Sequence, residues 1–136
     1  MSENRVKHLE MIQGVINRMG SNSFMLKSWS VILVSALFAL GSKESQKCIV
    51  YLAYYPAVAF WVLDGYYLWQ ERLFRKLYDA MRKAHENEID FSMSTKPFIK
   101  QVPGWLRTCF SKTVAIFHIA VLGSVLLVSL ILKETP

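Results

Sequence analysis

The stretch Thr113–Leu132, TVAIFHIAVLGSVLLVSLIL, decides the fold: twenty consecutive residues without a Lys, Arg, Asp or Glu. Crossing the roughly 30 Å hydrocarbon core of a bilayer takes about 20 helical residues. In lipid every backbone amide must be satisfied within its own segment, so such a run reads as a spanning helix. Two further apolar blocks precede it. Cys48–Trp69, CIVYLAYYPAVAFWVLDGYYLW, holds one acid, Asp64. Phe24–Gly41, FMLKSWSVILVSALFALG, is short, and gains length if Lys27 extends its ammonium to the headgroups. The 136-residue chain therefore reads as an all-α membrane protein of one domain, with spans at about 24–41, 48–69 and 108–132. Its first twenty residues are amphipathic and charged rather than plainly apolar, so no cleavable signal peptide is expected.

Orientation follows from the basic residues. Thirteen of the 16 Lys and Arg lie in the N-terminal flank through Lys27 or in the segment from Arg72 to Lys112, while Lys43, Lys47 and Lys133 lie on the other side. The positive-inside rule puts the N-terminus and the middle segment in the cytoplasm and the KETP tail outside. The net charge of +6 is then accounted for without a nucleic-acid partner, and no nucleic-acid-binding motif is present.

Between the spans the pattern changes. Val6, Leu9, Ile12, Ile16 and Met19 recur every three or four residues, which predicts an amphipathic helix over about 3–20. Gly20-Ser21-Asn22-Ser23 reads as its break, with Asn22 or Ser23 capping span one. This helix is expected in the inner headgroup layer, the alternative being packing on the cytoplasmic part of its own protein or of a neighbour. Span two is expected to continue as a cytoplasmic helix to about 85, because Tyr66, Trp69, Leu73, Leu77 and Met81 keep one apolar stripe among charges. The first helix, the loop holding Phe91 and Phe98, or a second copy would cover that stripe. Residues 87–104, with two prolines, read as an irregular connector. Pro56 is expected to kink span two.

Intramembrane polar residues are costly and hence informative. Ala53, Ala57, Trp61 and Asp64 fall on one line of span two, so Asp64 faces a neighbouring helix, with Lys27 its preferred partner and Arg107 or Lys112 the substitutes. Arg107, Ser111, His118 and Ser129 share a face of span three, His118 near the bilayer midplane. A neutral imidazole there bonds a neighbouring helix; a protonated one can gate or relay protons. Small residues stand four apart in each span (Ser35 and Ala39, Ala53 and Ala57, Ala120 and Ser124), as close helix packing in lipid favours. Cys48 and Cys109 fall at opposite faces of the membrane, too far apart to pair. No phosphate loop, nucleophile elbow, metal-ligand spacing or carboxylate pair is found, so neither catalysis nor a cofactor is expected.

LEMIQGVINRMGSNSFMLKSWSV (Leu9–Val31), YYPAVAFWVLDGYYLWQERLFRKLYD (Tyr54–Asp79) and FSKTVAIFH (Phe110–His118) resemble a family of small bacterial multi-pass membrane proteins with no assigned activity. The resemblance spans about half of the chain. It implies a bacterial inner-membrane protein with this three-span layout, and company with mobile or phage-defence genes. Three spans of one copy enclose little water. The leading expectation is therefore a homo-oligomeric, channel-like or membrane-perturbing assembly, centred on His118 and Ser129, that acts as a defence effector. The alternative is a scaffold that recruits a cytosolic protein or anionic lipid through Arg72, Arg75, Lys76, Arg82 and Lys83.

Overall fold

Residues 2–134 are described in a computed structural model, and every element among them is helical. Helix α1 (Glu3–Gly41) leads through a 3-10 segment (Glu44–Ala53) into α2 (Tyr54–Lys83). Two short 3-10 turns (Glu86–Glu88 and Lys96–Gln101) then precede α3 (Trp105–Cys109) and α4 (Lys112–Glu134). Three of these rods, Glu3–Gly41, Gln46–Lys83 and Lys112–Glu134, are long and apolar enough to cross a membrane.

Helix α1 starts at an N-cap, Ser2, whose side chain accepts from the Arg5 amide, and runs 39 residues without interruption. The expected break at 20–23 is absent. A helical glycine costs only about 1 kcal/mol relative to alanine, and contacts on both sides hold this stretch in line. Below it Ile12 and Ile16 are buried; above it Ser23 and Lys27 bind Asp64. Asn22 and Ser23 are thus interior positions and cap nothing.

The N-terminal half of α1 takes the alternative expected for it, packing on another part of its own chain. It packs antiparallel on the charged half of α2 and forms a two-helix arm. Ile12, Ile16 and Leu77 make its core, with Phe74, Tyr78, Met81, Met93 and Phe98 against them. Two of the three expected covers of the α2 stripe, α1 and the connector, therefore share the task. Phe91 goes elsewhere, its ring edge-on to His8 at 5.5 Å, with a positive φ of 54°. At the tip, the Arg5 guanidinium donates to the Arg82 carbonyl at 2.5 Å and fixes the register.

At the opposite end the three rods pack around Val34, Ala53, Ala57 and Val125. The turn into α2 is tight: a Cβ on Gly41 would lie 2.4 Å from Val50 Cγ2, so glycine lets the end of α1 and the 3-10 segment approach closely here. Span two opens as 3-10 and not α. Pro56 consequently sits in the first turn of α2, where a missing N–H leaves no bond broken, and it marks a change of helix type rather than a kink. The 3-10 rise of about 2.0 Å per residue also stretches the short apolar run. Span three starts later than expected. The chain turns at Phe110–Ser111, and the Ser111 carbonyl accepts from the Val114 and Ala115 amides to begin α4. Of the KETP tail, Lys133 and Glu134 complete α4, and Thr135 and Pro136 lie outside the described residues.

Leu77 is 2% exposed, between Ile12 and Ile16. Leu77→Ala is expected to destabilise the arm by about 2–5 kcal/mol, the usual cost of a buried leucine. Limited proteolysis in detergent should then cut the arm first and leave the three-rod bundle protected; uniform protection would show that the arm does not depend on this core.

Candidate functional site

Asp64 is fully buried in α2, at the junction between arm and bundle, and three side chains from two other helices converge on it. Ser23 donates to Oδ1. Lys27 Nζ stands 2.5 Å from Oδ2, and His118 Nε2 2.8 Å from the same oxygen. Lys27 also donates to Ser23 Oγ at 2.9 Å. Ser23 and Lys27 are four residues apart, on one face of α1, and only an unbroken α1 presents both to Asp64. A carboxylate offers acceptors only, so His118 donates through Nε2, and its buried Nδ1 is left without a hydrogen-bond partner. The ammonium balances the carboxylate and the imidazole adds a further donor, so the buried Asp64 is both paired and hydrogen-bonded.

Aromatic rings and a close backbone approach seal the cluster. The Trp61 indole stacks parallel to the His118 ring at 6.2 Å, and Phe117 meets it edge-on at 5.1 Å. Trp61 Nε1 donates to the Cys109 carbonyl at 2.7 Å, and Trp105 Nε1 to the Val62 carbonyl at 3.0 Å. These two bonds strap α3 across α2. Gly65 makes room for the strap: a Cβ there would lie 2.3 Å from Cys109 Sγ and 3.0 Å from Cys109 Cα. Both cysteines are free, Cys48 exposed and Cys109 buried.

Of the residues singled out from sequence, Lys27, Asp64 and His118 meet, as the preferred pairing of Lys27 with Asp64 anticipates. The other three do not join them. Arg107 is exposed on α3, turned away from the α4 face by the bend at Phe110–Ser111. Ser111 Oγ is buried without a partner. Ser129 is buried, but its hydroxyl donates to the Val125 carbonyl of its own helix at 2.8 Å. On the arm, Arg75 pairs with Glu71 at 2.7 Å and Arg82 with Asp79 at 3.7 Å, while Arg72, Lys76 and Lys83 have no ion pair among the described residues. Ser23 is the member that sequence reasoning missed. Its signal was its four-residue spacing from Lys27, hidden by reading 20–23 as a break. No cluster of three or more His, Cys, Asp or Glu able to hold a metal occurs among the described residues.

No protein-family model matches this chain, nor does any curated protein or solved structure. The fold and the site thus define an all-helical chain with three helices able to cross a membrane, pinned by one buried charge cluster.

Removing one member of a buried ion pair strands the other charge and typically costs about 3–5 kcal/mol, whereas replacing both with apolar residues is close to neutral. Asp64→Leu and Lys27→Met are each expected to lower the thermal midpoint in detergent strongly, and the double variant to recover most of the loss. Additive losses in the double variant would mean the pair does not hold the helices together.

Proposed function

We propose that the chain is a non-catalytic protein of a bacterial inner membrane whose three-helix bundle anchors a rigid, basic cytoplasmic arm that recruits a cytosolic partner. The excess of Lys and Arg on the arm side of the bundle supports this orientation. The observation that carries the reading is the closure of both interior surfaces within one copy. His118 and Ser129 are 0% and 6% exposed, each facing its own chain, so neither is offered to a pore between copies. The arm likewise buries its apolar stripe and turns Lys76 and Lys83 outward. What it presents is a stiff charged surface held at a fixed distance from the membrane. Arg72, Arg75, Lys76, Arg82 and Lys83 would select an acidic partner surface, an interaction that steers association and weakens with salt.

Replacing these five residues by Gln should leave insertion and thermal midpoint unchanged. In-cell cross-linking from the arm should yield a defined cytosolic partner with the native chain and none with the five-fold variant. Equal cross-linking by both, or none by either, would reject recruitment.

A second reading, self-association into a channel-like assembly, is favoured by one observation. The small-residue pairs Ser35 and Ala39 on α1, and Ala120 and Ser124 on α4, all face outward, where another copy could approach closely. Any central path would then be lined by residues other than His118 and Ser129. Native mass spectrometry in mild detergent should find four or more copies if this holds; a monomer would remove it.

A further inference from the structure

Just beyond the buried cluster, at the root of the arm, aromatic rings gather. Tyr66 lies 6.0 Å from Trp69 and 5.5 Å from Trp105, the latter edge-on. Amphipathic rings at the end of a spanning helix sit at the headgroup boundary. Immediately past them a groove of about 340 Å³ opens between α2 and the strap that leads into α3. One wall carries Arg72, Arg75, Lys76 and Asp79; the other is the backbone and side chains of residues 101–103.

The charges in this groove are unbalanced. Arg75 is engaged by Glu71, and Asp79 by Arg82. Arg72 and Lys76 have no ion pair among the described residues, and they stand four apart on one face of α2. Arg72 lies eight residues past Asp64, about 12 Å along the helix, the level at which lipid phosphates sit if Asp64 is just inside the hydrocarbon. The opposite wall sets the apolar Val102 and Pro103 beside Gln101. In the chain it is flanked by large apolar side chains open to the surroundings: Ile99 is 45% exposed, Leu106 70% and Phe110 71%. Side chains of this kind belong against acyl chains rather than water. The groove is thus cationic at its helix wall and apolar at Val102 and Pro103 opposite, and exposed apolar residues flank that second wall in the sequence.

We propose that this groove binds the headgroup of an anionic phospholipid of the inner leaflet, with Arg72 and Lys76 on the phosphate and Val102 and Pro103 against the glycerol and upper acyl chain. This rests on membrane insertion of the bundle and not on recruitment by the arm, so it needs no partner to be tested. Mixed charge and apolar character on opposite walls fits a lipid better than a free anion, which would gain nothing from the strap.

The full chain, purified in mild detergent and delipidated, is incubated with phosphatidylglycerol or phosphatidylcholine and read by native mass spectrometry. One phosphatidylglycerol per chain is expected to survive activation that strips phosphatidylcholine. R72Q/K76Q should weaken that retention about thirtyfold, from the loss of two surface cations. K7Q/R18Q, on α1 and outside the groove, should stay within about twofold of the native chain, and the charge-conserving R72K/K76R should retain the lipid. Equal retention of the two lipids, equal loss in K7Q/R18Q, or displacement by millimolar inorganic phosphate would each overturn the assignment. Release of the chain from membranes by alkaline carbonate would overturn the insertion on which it rests.

Discussion

A carboxylate that cannot reach water sets the terms for the remainder of this structure. Asp64 is fully enclosed, and a lone charge so placed would cost far more than one helix contact returns. Every neighbouring feature acts to make the site tolerable. Lys27 supplies the opposite charge, and Ser23 and His118 the remaining hydrogen bonds. Because those donors come from α1 and α4, three helices are held at one level by a single oxygen pair. Apolar packing between helices is non-directional. A polar contact of this kind therefore fixes register where the leucines and valines around it leave sliding permitted.

The continuity of α1 follows from the same contact. Its first half is stapled to α2 by Ile12 and Ile16, and its second half by Ser23 and Lys27. Local preference at Gly20-Ser21-Asn22-Ser23 favours a break, and tertiary contacts on both flanks override it. This is the point at which reading the chain piece by piece misleads. Propensity identifies a weak spot, but not whether anything outside the segment holds it straight.

The three apolar rods, the extension of α2 past Trp69 and the pairing of Lys27 with Asp64 were all legible, since each depends on composition or on spacing within a helix. The long apolar runs exclude other structures, and an isolated acid among them demands a base at the same depth. Other features were not legible because they depend on contacts across elements. The strap formed by Trp61 and Trp105 uses backbone carbonyls, which carry no signature in the residue order. The bend at Phe110–Ser111 separates Arg107 from His118 although helical spacing puts them on one face. The burial of His118 and Ser129 inside a single copy likewise could not be told from burial between copies, because periodicity gives a face without saying who occupies it.

Helix α1, with its 39 residues, is a rod of about 58 Å at 1.5 Å per residue. Its ionic attachment to Asp64, through Lys27, leaves about 36 Å of rod toward Glu3 and about 21 Å toward Gly41, so the rod is a lever with unequal arms about that contact. Tilting of the Gly41 end about that contact would be returned at the Glu3 tip in the opposite sense and with about 1.7 times the amplitude. The Arg5–Arg82 bond then obliges α2 to move with it. A displacement at one end of the bundle is in this way carried to the tip of the arm by a single helix that runs without a break.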